Sequence, residues 1–365
     1  MLDCRSGWRE VGRILEEVEF VESPVTTPRP VIDARREEKH VRVFVAGATG
    51  AIGRPLVSAL IKAGHEPVGM TTSIGGLRAL REIGADGIVA DALDSRTITS
   101  ALMKVSADAV IEELTALPKH GRIGWRSGRT YTPEDEEIRA AAERDRSVRL
   151  DGGRNVYNAA RSAGRAKRYL VQSTGFFYAP GTGLATETDA LACNASPAIS
   201  SGARTYMEIE SRVLGGNELM GTALRYGFFY GPGTWFTHDG DIANQVREGQ
   251  CPLVDSAKGV WSWIHVEDAA AATVAALESA PGIYNIVDNE PSEMSTWLPA
   301  FAKVVGAPDP PHVPEEVALE RFGSDFVYYA TQLRGASNAK AKRELGFAPR
   351  RLEWLDGTGS RRVPS

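Results

Sequence analysis

Three glycines spaced three apart, Gly47, Gly50 and Gly53, separate a run of apolar residues from a run with helical periodicity. A turn of this composition can bring backbone N–H groups against a phosphate. Glycine has no Cβ to hold a diphosphate away, and the helix that follows offers free N–H donors and the positive end of its dipole. Upstream, residues 41–46, VRVFVA, predict a central parallel strand buried on both faces. Downstream, Ile52, Leu56 and Leu60 recur four apart, Pro55 suits a first helical turn and Gly64 suits a left-handed cap. Strand, turn, helix and cap together predict a dinucleotide site, with Gly47, Thr49, Gly50, Ala51, Ile52, Gly53 and Arg54 around the diphosphate. The alternative is a tight turn that binds nothing.

The elements that follow position the rest of such a ligand. Residues 66–70 predict a second strand, whose end normally carries an acid that accepts hydrogen bonds from the adenosine ribose. Here the end reads Thr71-Thr72-Ser73. With no carboxylate to repel it, a 2′-phosphate is held by the hydroxyls of Thr72 and Ser73 and by Arg54 or Arg78, so NADP is favoured while NAD stays open. A short helix at 77–83 leads to a third strand at 87–90, ending at Asp91-Ala92 on the adenine edge, and Asp94 caps a helix over 96–105. The fourth strand, 108–114, delivers Leu114, Thr115 and Ala116 to the crevice beyond the strand ends, where open α/β sheets bind ligands. Glu112 and Glu113 also lie there. One could act as a general base, but neighbours on a strand point to opposite faces, so at most one faces the cofactor, and pairing with arginine is the competing role. The basic, glycine-rich loop at 118–135 is either a cover that attracts an anionic substrate or a plain insertion.

Composition sets the outer bounds. A chain of 365 residues with 42% hydrophobic content can bury a full core in one large or two coupled domains. A net charge of -5 argues against nucleic acid as a partner, and no apolar run reaches the ~20 residues of a membrane helix. Cys4, Cys193 and Cys251 are too scattered for a zinc site or a disulfide framework, which fits a cytoplasmic protein without a metal. Residues 1–40 read as a loosely ordered extension, 41–235 as the dinucleotide-binding domain, and 236–365 mainly as substrate-binding, with 263–288 returning to the first domain.

Further along, residues 149–163 predict a helix and 168–172 a fifth strand, followed by Ser173-Thr174 and Phe177-Tyr178. RYGFFYGPG at 225–233, HVEDAA at 265–270 and GIYNI at 282–286 follow. With the glycine turn, these stretches resemble the extended short-chain dehydrogenase/reductase family, in particular its NAD-dependent epimerase/dehydratase branch, from Val41 to about Gly357. The resemblance implies an α/β fold, a Rossmann doubly wound parallel sheet with a smaller C-terminal substrate-binding domain. It implies that Ala51-Ile52 meet the diphosphate, Asp91-Ala92 the adenine, Leu114 to Ala116 the ribose, and Gly227 and Phe228 the nicotinamide side, with Ser173 also among the cofactor-binding residues. The implied activity is that of an NAD(P)-dependent oxidoreductase or epimerase/dehydratase, a monomer or homodimer acting on a small-molecule carbonyl, hydroxyl or sugar-nucleotide substrate.

The family's catalytic pattern is incomplete. Thr174 matches its Ser/Thr position, but the Tyr-x-x-x-Lys pair, whose ammonium lowers the phenol pKa, is absent: Tyr206 is followed at the lysine position by Glu210. A carboxylate there would raise the phenol pKa. Tyr206 therefore either supplies the proton, alone or through a water, or packs its helix; if it does not, Glu112, Glu113 or Tyr178 is next in line. The missing lysine also supports a different class of function, a non-catalytic NADP-binding regulator. In the C-terminal part, helices are predicted at 241–248, 267–280, 295–305 and 315–322, with Pro308, Pro310, Pro311 and Pro314 as a stiff connector. Trp235, Phe236, Trp261 and Trp263 fall near the interdomain cleft, as core packing or as a seat for an aromatic group. Asp268 reads as a helix-start residue.

Overall fold

A computed structural model of the protein describes residues 40–117 and 133–355, so the expected N-terminal extension and almost all of the basic loop lie outside the described residues. The first half alternates strand and helix: β1 (Arg42–Ala46), α1 (Gly53–Lys62), β2 (Glu66–Thr71), α2 (Ile74–Glu82), β3 (Asp86–Val89), α3 (Ser95–Val105) and β4 (Ala109–Glu112). Next come α4 (Pro133–Ser147), a π-helical turn (Val148–Gly152), α5 (Gly153–Ala163), β5 (Arg168–Thr174), α6 (Pro197–Leu214) and β6 (Met220–Tyr226). Four short strands, β7 (Phe228–Tyr230), β8 (Leu253–Val254), β9 (Val260–Trp261) and β10 (Trp263–His265), surround α7 (Asp241–Arg247), and α8 (Val266–Ala276) leads to β11 (Gly282–Ile286). The chain closes with β12 (Ser292–Glu293), α9 (Met294–Val304), β13 (His312–Val313), α10 (Glu315–Thr331) and α11 (Ala339–Leu345).

The main sheet has seven parallel strands in the order β11-β6-β5-β4-β1-β2-β3. Strand order reverses between β1 and β4, the place where open α/β sheets form a ligand crevice. Alternating side chains feed two apolar layers. Val43 and Val45 of β1, with Ala109 and Ile111 of β4, pack under α1 and α8, whereas Phe44, Ala46 and Val110 pack under α3 and α5. Because both faces are covered, β1 reads as a continuous apolar run, as expected of a parallel sheet. In α1 the predicted stripe is the buried one: Leu56 and Leu60 are fully enclosed and Ile52, just ahead of the helix, is nearly so.

Several boundaries differ from the sequence reading. The fifth strand extends through Ser173 and Thr174, both buried. The fourth stops at Glu112. The predicted helix at 149–163 is the continuation of a longer path, α4 through the π-helical turn into α5. PEDEEIRAAAERDRS has almost no apolar periodicity, so α4 carries little signal in the sequence. Helix α10 runs on to Thr331 across a kink at Gly323, where φ is +83°. Asp268 sits in the first turn of α8 and accepts from the Arg350 backbone N–H (2.8 Å) and Nε (3.1 Å), tying the C-terminal segment to the sheet.

The backbone approaches itself very closely at the glycine turn. Gly47 has φ +88°, and a Cβ there would sit 2.3 Å from the Glu113 carbonyl oxygen. A Cβ on Gly53 would sit 2.1 Å from the Gly47 oxygen and 2.7 Å from the Ala48 carbonyl carbon. Both obstacles are backbone, so they cannot rotate aside. Gly53→Ala is expected to push α1 off β1 and to lower stability by about 1–3 kcal/mol, read as a lower urea midpoint at unchanged slope. Gly75→Ala, whose nearest neighbour would be the Ser73 hydroxyl at 3.9 Å, is the control expected to leave stability unchanged or slightly raised. A Gly53→Ala protein as stable as the parent would show that the approach is not a constraint.

Candidate active site at the carboxyl edge of the sheet

The turn after β1 is shaped for a diphosphate. Gly50 N–H closes onto the Gly47 carbonyl (3.0 Å), and the N–H groups of Ala51 and Ile52, at the start of α1, donate to no backbone group among the described residues. Free donors at a helix N-terminus beside a glycine cradle fit an anionic ligand, so the residues present fit a dinucleotide. Thr49 is half-buried beside them and Arg54 is exposed. At the end of β2, Thr71 is buried and Thr72 and Ser73 are exposed. The Ser73 hydroxyl accepts from Gly76 N–H (3.1 Å) as the N-cap of α2. Arg54 and Arg78 are exposed and unpaired among the described residues. Asp91 turns its carboxylate onto the Leu93 N–H (2.9 Å), and the Ala92 carbonyl accepts from the Asn155 side chain (2.9 Å), which fixes the loop after β3.

Across the crevice, Leu114 is buried, Thr115 is exposed, and Ala116 N–H donates to Asp145 (2.7 Å). Thr174 is buried, and its hydroxyl has no hydrogen-bond partner among the described residues. Ser173 is engaged differently: its hydroxyl donates to Glu210 Oε1 at 2.6 Å. Gly227 lies against the Ser262 carbonyl, which a Cβ would meet at 2.5 Å, and Phe228 N–H donates to that same carbonyl (2.8 Å).

Glu210 proves to be a structural charge. Arg225 of β6 forks onto both of its oxygens, Nε to Oε1 and Nη2 to Oε2, each at 2.6 Å, and both side chains are almost fully buried. Arg225 also donates to the Tyr178 hydroxyl (2.8 Å), which donates to Asn285 Oδ1 (2.6 Å) on β11. This network spans α6, β5, β6 and β11. It corrects the expectation that Glu210 raises the Tyr206 pKa. The Tyr206 phenol is raised, but chiefly by burial, with Asp145 and Glu113 adding to it, and the Arg149 guanidinium opposes them. Tyr178, pushed up to about 12 by burial, is held inside the same network.

The two acids at the end of β4, Glu112 and Glu113, separate. Glu112 accepts from the Tyr169 hydroxyl and pairs with Arg212 (3.4 Å), the arginine pairing anticipated for one of them. Glu113 accepts from the Tyr226 hydroxyl (3.0 Å), its second oxygen has no partner among the described residues, and burial pushes its pKa up to about 8. Arg149, which the sequence reading treated only as the start of a helix, stands over the Tyr206 ring, its Cζ 5.3 Å from the ring centre. The tryptophans divide. Trp261 and Trp263 are core, while Phe176, Phe228, Trp235 and Tyr329 are only half-buried. Phe176 stacks on Phe228 and Phe228 on Trp261, each pair with centroids 4.1 Å apart. That stack makes an aromatic wall beside the crevice. Phe176 and Tyr329 went unnoticed because neither sits in a motif.

Fold and site define a nicotinamide-dinucleotide-binding protein of the doubly wound type. A sequence model of the NAD dependent epimerase/dehydratase family matches residues 137–287, and one for NAD(P)H-binding domains matches residues 47–204. A relative from a Streptomyces species, 3-diazoavenalumate denitrifying reductase, is 38% identical over 323 residues, spanning 87% of this chain and 99% of that protein. The chain belongs to the NAD-dependent epimerase/dehydratase family of extended short-chain dehydrogenases/reductases, and is an NAD(P)-dependent enzyme. Among solved structures, dTDP-glucose 4,6-dehydratase from Streptomyces venezuelae with NAD shares the fold at 17% identity and a TM-score of 0.65, covering 87% of this chain and 95% of that one. A human epimerase family protein with NADPH shares it at 19% identity and a TM-score of 0.61, covering 84% and 94%. No helix among the described residues is long and apolar enough to cross a membrane.

Burial of Glu113 makes stability depend on pH. The native side chain keeps its proton up to about pH 8 while the unfolded chain releases it near 4.5, so between those values the folded state binds more protons and loses stability as pH rises. Asp288, raised to about 7 by burial, acts in the same direction. The expected slope is at most about -1.4 kcal/mol per pH unit for each group. Glu113→Gln, which keeps the acceptor for Tyr226, is expected to flatten it. Urea midpoints at about pH 5.5 and about pH 8 test this, and an unchanged slope in the variant would place the titration elsewhere.

Proposed function

We propose that the protein is an NADPH-dependent reductase that replaces the diazo nitrogen of an aromatic substrate with hydrogen. The observation that carries this reading is the likeness to a denitrifying reductase of a diazo compound over 99% of that relative's length. The chemistry agrees with what the crevice holds. NADPH, if bound there, would supply a hydride with its electron pair, so that a C–H bond would replace the C–N bond, whose own pair would leave with dinitrogen; the cofactor would end oxidised and no proton would be consumed. A carbonyl reduction, by contrast, needs a proton as well as a hydride. The lysine that would prepare Tyr206 to give one is replaced by Glu210, which is engaged by Arg225. The half-buried Phe176, Phe228 and Tyr329 offer a planar ring a stacking surface. The Thr174 hydroxyl is the polar group at the end of β5 available to orient the substrate.

The preference for NADP over NAD rests on the acid-free end of β2 and on Arg54 and Arg78, both exposed and unpaired among the described residues. Calorimetric titration is expected to give tighter binding of NADPH than NADH; the reverse order overturns this part. The reading takes the protein as a cytoplasmic monomer or homodimer with a small-molecule substrate, in which residues 41–235 carry the cofactor and the later segments, apart from 263–288, the substrate.

A second reading, carbonyl reduction or sugar epimerisation with Tyr206 as proton donor, draws on the phenol hydroxyl, which makes no hydrogen bond to a described residue, and on the Arg149 cation beside it. One experiment separates the two. With an ortho-diazo phenolic acid and NADPH deuterated on the nicotinamide, the ring is expected to gain deuterium where nitrogen left, with none arriving from heavy water. Tyr206→Phe is then expected to stay within about threefold of the parent, whereas loss of a general acid costs ~10²–10⁴-fold. Turnover of ketones or sugar nucleotides but not of the diazo acid would reject the proposal.

A further inference from the structure

The π-helical turn at Val148–Gly152 carries a buried charged side chain. Such turns insert a residue into a helix and concentrate at functional sites because they re-aim the side chains they carry. Here the re-aimed residue is Arg149, only 5% exposed. Its Nε donates to Asp145 Oδ2 at 2.7 Å, and the other Asp145 oxygen accepts the Ala116 N–H, so the guanidinium is held against the segment that follows β4. One face lies over the Tyr206 ring. Glu113 and, more weakly, Glu112 come within electrostatic reach from the strand side, but neither makes an ion pair with it.

The remaining guanidinium donors are unused. Arginine carries five N–H groups, and among the described residues Arg149 hydrogen-bonds through Nε alone. The side chain is almost enclosed, yet its two terminal nitrogens have no hydrogen-bond partner among the described residues. The nearby acids do not satisfy it. Glu112 is taken by Arg212 and Tyr169, and Glu113 accepts from the Tyr226 hydroxyl and lies beyond ion-pair distance of Arg149. Two parallel terminal N–H groups on a fixed planar fork match the two oxygens of a carboxylate.

We propose that Arg149, positioned by Asp145 and the π-helical turn, is the anchor for a carboxylate of the substrate, holding the ring of an aromatic acid against the wall formed by Phe176 and Phe228. This rests on the reductase reading for the aromatic ring, but not on the diazo chemistry. The carboxylate supplies the acceptors that the fold leaves out, and the buried position makes the contact selective for an acid over its neutral amide.

The test is a binding measurement on the full chain saturated with oxidised cofactor, using cinnamate and cinnamamide as probes of equal shape. Calorimetry is expected to give the parent at least about tenfold tighter binding of cinnamate, the scale of a charge-assisted hydrogen bond. Arg149→Met is expected to erase that preference while leaving the amide affinity within about twofold; Arg149→Lys is expected to keep part of it, with a point charge in place of the fork. A parent without preference for the acid, or an Arg149→Met protein that retains it, overturns the proposal. So does loss of both ligands with an unaltered melting curve, which would make Arg149 a contact for the ring and not for the carboxylate. Where the methionine variant does not fold, the lysine variant decides: undiminished preference for cinnamate in it overturns the proposal. No turnover is read, so failure of diazo reduction leaves this result standing, and failure here leaves diazo reduction untouched.

Discussion

Everything at the cofactor end of the molecule depends on how closely three backbone segments meet where strand order reverses. The end of β1, the start of α1 and the residue after β4 converge so tightly that the Cβ of any side chain at Gly47 or Gly53 would overlap a carbonyl. That contact brings the N-terminus of α1 to the crevice with unused N–H groups at Ala51 and Ile52. It also sets the depth at which Glu113 and Leu114 emerge beside it, since Glu113 N–H donates to the Ala46 carbonyl. Donors that fit a diphosphate follow from the packing of a sheet, because they are orphaned by helix geometry and the charge preference comes from the dipole.

A second constraint governs the chemistry. The buried pair of Glu210 and Arg225 joins α6 to β6 and reaches β5 through Ser173 and β11 through Tyr178 and Asn285. Buried ion pairs are poor sources of net stability, but removing one partner leaves an uncompensated charge, which costs about 3–5 kcal/mol. Once Glu210 is committed in this way, the position from which a lysine would act on Tyr206 is closed. The cation near the phenol comes instead from the other side of the crevice, from Arg149 on the π-helical turn. The site thus holds a tyrosine raised by burial, a carboxyl that keeps its proton near neutrality and a guanidinium with free donors. Such a set suits binding and orienting a polar, planar ligand for hydride delivery better than it suits strong general acid–base work.

The aromatic residues show how one composition serves two purposes. Trp261, Trp263, Trp297 and Phe236 form an enclosed edge-to-face and stacked cluster that holds the short strands β7, β9 and β10 and helix α9 together. Phe228 continues this cluster outward and Phe176 caps it, so the rigid core ends in a flat apolar surface at the crevice. A wall backed by fully packed tryptophans cannot fold away when solvent fills the cleft.

The sequence by itself determined the features whose causes are local. The glycine turn, the largely apolar strand before it, the four-residue spacing of Ile52, Leu56 and Leu60, the Asp94 cap and the place of Asp268 in the first turn of α8 all follow from backbone sterics and periodicity within a few residues, and all are present in the fold. The family was legible for the same reason, because its motifs are short and their spacing is kept. Tertiary structure alone decided what depends on partners distant in the chain. Glu210 meets Arg225, fifteen positions away, and Ser173, thirty-seven positions away. Glu112 and Glu113 take opposite fates because their partners arrive from β5, α6 and β6. Arg149 gained its place from a π-helical turn that no periodicity announces, following a helix too uniformly charged to be read. A side chain's charge state and reach are set by what surrounds it, and those surroundings exist only once the sheet has closed.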